Sequence, residues 1–164
     1  MFSEHTLSVK ISTLIFLLLI TGRIGYAATH TSYNNHTGNW EDASTWQVGT
    51  GNLANNDIVN IYGFVKRNSS LTLNNGIDLH VYDTLFIFGD LNIANNGDIF
   101  VHTGGMVVVY GNVIAFNNVD LDLSSYFVVM GNLDVRNGAE ITAPPGEVYL
   151  YVTGETSCAA TATC

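Results

Sequence analysis

The chain has 164 residues and a formal net charge of −9, with 14 acidic side chains against five Lys and Arg. Nucleic-acid binders need a basic face that displaces counterions from phosphate, and proteins that dock on anionic lipid need clusters of Lys and Arg, so this charge disfavours both partners. We expect instead an extracellular glycan or a surface protein, with self-association as a further option.

The first predicted element is a signal peptide over residues 1–27. An apolar core of about ten residues follows Lys10 and ends at Ile20, and small residues lie around Ala27. This arrangement is typical of a signal peptide, whereas a bilayer-spanning helix needs about twenty apolar residues. The chain is therefore expected to be secreted or displayed at the cell surface, without membrane insertion after cleavage. An uncleaved anchor is the alternative, which Arg23 disfavours because it ends the apolar run early.

Residues 28–56 form the next predicted element, a cap that precedes the repeats and contains both tryptophans, Trp40 and Trp46. Solenoids expose open ends, and an uncovered coil is a template for edge pairing. We expect the two indoles to lie over the first coil and to shield it.

An internal repeat then dominates the chain. Its glycine marker recurs at intervals of 22, 20 and 23 residues, at Gly89, Gly111, Gly131 and Gly154. A second marker is made of Asn-Asn and Asn-Gly pairs, which tolerate positive φ and indicate tight corners. The residues between corners are mainly Val, Ile, Leu, Phe and Tyr, without the periodicity of a helix.

The repeat predicts an all-β fold, a single-stranded parallel β-helix of about five coils over residues 57–155. Each strand would pair with the equivalent strand of the next coil about 4.8 Å away, and alternate residues such as Leu85, Ile87 and Leu91 would stack inside. An antiparallel sandwich is the alternative, because Asn-Gly corners also make hairpins. Hairpin strands need no fixed period, however, and the glycine marker has one.

Residues 156–164 are predicted to be a C-terminal tail that contains the only two cysteines, Cys158 and Cys164. An exported protein meets an oxidising compartment, where the pair would close a small loop as a disulfide. Two free thiols on a frayed tail are the alternative.

Three segments ahead of the coils carry a resemblance to a known family: Gly-Asn-Trp at 38–40, Ser-Thr-Trp at 44–46 and Asn-Asp-Ile-Val-Asn-Ile at 56–61. Their order resembles the eight-glycine domain at the head of β-helical surface proteins, adhesin-like chains secreted by Gram-negative, polysaccharide-degrading bacteria. The resemblance covers roughly residues 38–154. It implies adhesion, surface display or glycan contact.

Alternation also predicts an outward apolar strip opposite the core. Contiguous exposed apolar surface often marks a contact site, and aromatic faces suit sugar rings. The predicted binding residues are Phe86, Phe88, Tyr110, Met130 and Tyr151, beside Val108 and Val128. The alternatives are a reversed facing of the strands or an N-terminal segment that covers the strip.

Four acidic residues recur at intervals of 20, 22 and 20, which predicts a ladder on one outer face: Asp78, Asp98, Asp120 and Glu140. Plain solvated acids explain such a ladder, since they keep the surface soluble. A divalent cation such as calcium, held by neighbouring carboxylates, is the functional alternative. A carboxylate pair for glycosidic hydrolysis is a third option, but equivalent acids make a poor acid and base set.

No catalytic residues are predicted. Elimination on an acidic polysaccharide needs a base near other cations, but Arg136 would lie about 14 Å from Lys66 and Arg67, some three coils away. His80 and His102 align in the glycine register and not in the acidic one, so no metal site is predicted and calcium is the only cofactor considered.

The function that we expect is adhesion, matrix contact or glycan contact by a non-enzymatic β-helix. Two alternatives stay open. One is a polysaccharide lyase or hydrolase, or its inactive remnant, and the other is the subunit of a self-assembling fibre.

Overall fold

A computed structural model describes residues 27–145 and 149–164 of the protein, so the predicted signal peptide lies outside the described residues apart from its last position. The described part is a parallel β-solenoid of about five turns, which confirms the predicted fold class. Its one helical element within those ranges is a 3₁₀ turn, Ala43–Thr45.

Each coil crosses three sheets in turn. The first sheet contains, in spatial order, β16 (Glu140–Thr142), β13 (Asp120–Leu123), β10 (Asp98–Val101), β7 (Asp78–Val81), β4 (Ile58–Ile61), β1 (Thr29–Ser32) and β3 (Trp46–Val48). The second contains β17 (Leu150–Val152), β14 (Tyr126–Val129), β11 (Met106–Val109), β8 (Thr84–Ile87), β5 (Phe64–Arg67) and β2 (Thr37–Asn39). The third contains β18 (Thr156–Cys158), β15 (Leu133–Val135), β12 (Val113–Ala115), β9 (Leu91–Ile93) and β6 (Leu71–Leu73).

The core is a set of aliphatic ladders inside this three-sided tube. Leu85, Val107 and Phe127 occupy one ladder of the second sheet, and each is fully buried. Parallel pairing in register stacks equivalent side chains, so residues at the same position of successive coils meet one another. Burial of each large aliphatic side chain stabilises the fold by about 1.5–3 kcal/mol before entropy is counted.

The glycine marker lies at the corner between the second and third sheets. The N–H of Gly111 donates to the carbonyl oxygen of Gly89, and Gly131 and Gly154 repeat the bond at 3.1 Å. A Cβ at Gly111, Gly131 or Gly154 would come within 2.6–2.7 Å of the carbonyl oxygen below it. Glycine recurs there because the stacked backbones leave no room for a side chain.

The difference between the glycine and acidic intervals comes from corner length. Two residues, 82–83, join β7 to β8, whereas four residues, 102–105, join β10 to β11. The two extra residues lie after Asp98 and before Gly111. They therefore lengthen the interval from Asp98 to Asp120 and the interval from Gly89 to Gly111, which are the second acidic interval and the first glycine interval. The strands keep their pairing because the insertion is confined to a surface corner.

The solenoid extends at both ends beyond the predicted range 57–155. β1 and β2, which lie in the predicted cap, pair in parallel with β4 and β5. β18, which lies in the predicted tail, pairs in parallel with β15. The first turn was not apparent from the sequence because it lacks the glycine marker.

Trp40 and Trp46 are both buried in the core at the N-terminal end. Their rings pack edge to face at 5.0 Å, and the indole N–H of Trp46 donates to the carbonyl oxygen of Trp40 at 2.9 Å. β3, which begins at Trp46, pairs antiparallel with β1 and so covers the edge of the first sheet.

Cys158 and Cys164 form a disulfide at the C-terminal end. The loop that they close returns the chain to β16, where the N–H of Ile141 donates to the carbonyl oxygen of Thr163 at 2.9 Å. The predicted cysteine pairing is therefore confirmed. Among the described residues, no helix has the length and apolar character that a bilayer crossing requires.

Candidate functional site

The predicted apolar strip lies on the outside of the second sheet. Phe86, Val108, Val128 and Tyr151 share one outward ladder across β8, β11, β14 and β17. The residue that follows each of the first three of these strands adds a second ladder at the corner, namely Phe88, Tyr110 and Met130. We call these two ladders the aromatic face.

Rings on the aromatic face pack against one another. The rings of Phe88 and Tyr110 stack with their centroids 4.9 Å apart and an angle of 16° between their planes. The centroid of the Phe86 ring lies 6.2 Å from that of Tyr110. Phe88 and Tyr110 remain 48% and 49% exposed, whereas Val108 is 9% exposed between its larger neighbours. The face is therefore a supported platform of rings and not a set of free side chains.

Sequence reasoning missed a third outward ladder on the same sheet. Phe64, Met106 and Tyr126 share a register with Thr84, two residues before the predicted strip. Phe64 packs on Phe86 with ring centroids 5.1 Å apart, so the ladders are continuous, and the aromatic face includes this third ladder and β5. The period of two along each strand was the available signal, because residues i and i+2 lie on one face.

The aromatic face carries no acidic side chain at the outward positions of β5, β8, β11, β14 and β17 or at the corner residues after them. Its one charged group is Lys66, whose Nζ lies 5.4 Å from the centroid of the Phe64 ring. Five strands about 4.8 Å apart and four to five residues wide give the face about 300 Å². That is the lower end of patches that are often functional on monomers.

The acidic ladder lies on the first sheet and not beside the aromatic face. Asp78 pairs with Asp98, and Asp120 pairs with Glu140, in one continuous register. The N–H of Asp120 donates to Oδ1 of Asp98 at 2.9 Å. Burial and the charge of Asp98 raise the pKa of Asp120 above its ordinary value. Over residues 27–145 and 149–164, no three His, Cys, Asp or Glu side chains converge as metal ligands.

His80 and His102 also lie on the first sheet, in a cluster of rings. The sheet pairs His80 with Phe100 and Asp78 with Asp98. The strands therefore follow the acidic register here, in which the two histidines are not directly opposite each other. The two histidines nevertheless touch diagonally, with Nδ1 of His80 and Nε2 of His102 3.2 Å apart. Burial, followed by the charge of His102, lowers the pKa of His80, against the opposing effect of Asp78.

The three cationic side chains of the described residues have separate neighbours. Arg67 pairs with Glu41 at 2.8 Å, and Arg136 pairs with Asp134 at 2.9 Å. Lys66 lies on the second sheet, whereas Arg136 follows β15 in the third. Because Arg136 lies on a different sheet from Lys66 and Arg67, the three groups do not surround a common reacting atom.

A buried pair that sequence reasoning missed joins β1 to the first full coil. The N–H of Thr50 donates to Nδ1 of His30 at 3.0 Å, so His30 carries its proton on Nε2 and donates it to Asp57 at 3.0 Å. Burial alone would raise the pKa of Asp57, but the N–H groups of Ala54 and Ala28, with His30, lower it below its ordinary value. This pair is structural, because it holds the N-terminal strand in place.

Two shallow cavities lie beside Trp40, Gly51 and Arg67 near the same end, with volumes of about 210 and 200 Å³. Pockets for small molecules usually measure about 300–1,000 Å³. The aromatic face is therefore a better candidate for ligand contact than either cavity.

No protein-family model, curated protein or solved structure matches this chain. The candidate site therefore stands on its geometry alone.

Proposed function

We propose that the protein is a secreted or cell-surface, non-enzymatic β-helix that contacts a glycan chain through the aromatic face. The observation that carries the proposal is an outward platform of stacked rings, free of acidic side chains, on a chain whose net charge is −9. Selection of apolar residues at outward positions of several successive coils is costly for solubility, and such patches usually serve contact.

The size of the aromatic face favours a glycan over a large protein partner. A stable protein interface buries about 800 Å² on each partner, which is more than twice the area of the face. An extended glycan needs only a narrow platform, and its ring C–H groups pack on aromatic rings. Contact with a surface protein remains the alternative partner.

The charge distribution further favours a neutral glycan. Lys66 is the single cation on the face, and the acidic ladder places negative charge on the neighbouring first sheet. An anionic polysaccharide would be repelled at low ionic strength. Calcium bridging between the acidic ladder and an anionic glycan is the one route by which such a polymer would bind.

Binding to insoluble cellulose, soluble neutral β-glucan and alginate, with and without calcium, tests the proposal. We expect the neutral polymers to bind and Tyr110→Ser to weaken binding by about tenfold, since one ring–sugar contact contributes on the order of 1.4 kcal/mol. Tyr62→Ser is the matched control, because Tyr62 is a partly exposed, stacked corner ring on the first sheet. Equal losses in both variants, or depolymerisation of any of these polymers, would sink the proposal.

Self-assembly into fibres is a second candidate, which the end strands favour. Within the described ranges, β17 and β18 each pair on one side only, and unpaired edges are templates for further strands. A sedimentation coefficient that rises with protein concentration would support assembly. If Tyr110→Ser shows the same rise, assembly takes place through the ends and not through the aromatic face. A strictly monomeric protein would remove this candidate.

A further inference from the structure

His80 and His102 meet where the first sheet turns into the second. His80 points outward from β7, and His102 is the residue that follows β10 on the next coil. Nδ1 of His80 and Nε2 of His102 are 3.2 Å apart. Both residues are partly exposed, so solvent reaches the pair.

We propose that these two histidines bind a divalent transition-metal ion. Imidazole nitrogens ligate such metals at about 2.0–2.1 Å, which separates two neighbouring ligands by about 2.9 Å in a square-planar site and about 3.3 Å in a tetrahedral one. The observed 3.2 Å falls within that interval. When the metal binds, the ring that donates this hydrogen bond carries its proton on its other nitrogen instead, and small changes in the side-chain torsions turn both lone pairs toward one point.

Packing holds both rings near this arrangement. His102 stacks on Tyr82 at 4.0 Å with planes 2° apart, and His80 stacks on Phe100 at 4.6 Å with planes 10° apart. Tyr82 stacks in turn on Tyr62 at 4.6 Å. These stacks restrict both rings before the metal binds, so the ligands lose little further freedom on binding.

The electrostatic environment also suits a cation. Asp78 lies two residues before His80 on the same outward side of β7, and its charge acts on that ring.

The ligand type selects the metal. Two imidazoles with open positions for water favour Cu²⁺, followed by Ni²⁺ and Zn²⁺, in the usual order of affinity. Ca²⁺ prefers oxygen ligands, so it should not compete for this pair even if it binds the acidic ladder. With only two protein ligands, the affinity should be well below that of closed sites with four.

Calorimetric titration of the full chain with Cu²⁺, in a buffer that does not bind copper, tests the proposal together with the electron paramagnetic resonance spectrum of the complex. Two variants remove one ligand each and preserve ring packing: His102→Tyr extends the column of Tyr62 and Tyr82, and His80→Phe stacks on Phe100. His36→Gln is the control, because His36 packs on Tyr33 between β1 and β2, away from the pair.

We expect one Cu²⁺ site with two nitrogen ligands, an affinity at least ~10-fold weaker in each of the two variants and a change below about twofold in the control. Unchanged affinity in both variants would overturn the proposal. Loss in only one variant would indicate a single-histidine site and would also overturn it, as would displacement of Cu²⁺ by excess Ca²⁺. None of these outcomes depends on glycan binding.

Discussion

The outer faces of the first and second sheets are built on the same coils, yet their charge differs. Both present stacked rings, but the first also presents the acidic ladder and the histidine pair, whereas the second presents no acid. Both rest on the same buried aliphatic core. The comparison teaches that in a solenoid the inward positions determine the fold, and the outward positions are free to diverge from one side to the next.

The largest expected effect comes from a change in the core that both faces share. Phe127 is fully buried in β14, and Phe127→Ala should lower the free energy of unfolding by about 3–5 kcal/mol because it leaves a cavity. Its neighbour Tyr126 is 57% exposed, so Tyr126→Ala should cost less than about 1 kcal/mol. Urea unfolding measures both, and similar losses in the two variants would contradict the assignment of inward and outward positions.

A smaller effect is expected at the buried pair that anchors the N-terminal end of the first sheet. Asp57→Asn replaces the carboxylate oxygen that accepts from His30 and Ala54 with an NH2 group that cannot accept, which should cost about 1.5–3 kcal/mol at neutral pH.

The pH dependence of Asp57 has a definite sign. Because its folded pKa is lowered, its contribution is complete above the unfolded pKa near 3.8 and is lost as pH falls through the lower folded pKa. The wild type should therefore lose stability in acid more steeply than Asp57→Asn, when urea midpoints at pH 6 and below pH 4 are compared. Parallel pH profiles would show that Asp57 is not the acid-sensitive group.

The smallest expected effect tests whether the carboxylates of the acidic ladder on the first sheet repel one another or are independently solvated. The folded pKa of Asp120 is raised, so its ionised form is disfavoured by folding, and the penalty is absent below the unfolded pKa and complete above the folded one. Asp120→Asn should stabilise the protein at pH 7 by a few tenths of a kcal/mol, since solvent screens an exposed charge.

Asp122→Asn is the matched control for this change, because Asp122 pairs with Phe100 and Thr142 instead of another acid. Thermal melting at low salt resolves the two variants. A stabilisation of the same size in both would indicate a general effect of net charge and not the ladder.

Much of the fold was predictable from the sequence because every coil of a β-helix meets the same steric and packing constraints. Gly89 and its successors mark a corner where stacked backbones exclude Cβ, and the period of two identifies inward residues such as Leu85. The first turn, with β1 and β2, was not predictable because it carries no such marker.

The sites were predictable only in part. Alternation separates inside from outside, but it does not give the angle between successive strands, so it could not show that Asp78 and Phe86 lie on different sheets. The contact of His30 with Asp57 spans 27 residues and depends on the pairing of β1 with β4, which local sequence does not encode. The glycine register aligns His80 with His102 and so indicated their contact, but it did not show that the sheet pairs His80 with Phe100 and leaves the two histidines diagonal to each other.

Oxidative footprinting of tyrosines in the presence of a soluble neutral β-glucan shows which face the glycan contacts, because both faces carry exposed tyrosines. We predict that bound glycan protects Tyr110, Tyr126 and Tyr151 on the second sheet and leaves Tyr62 and Tyr82 on the first sheet as reactive as before. Protection of Tyr62 and Tyr82 alone, or equal protection of both groups, would contradict the assignment of glycan contact to the aromatic face.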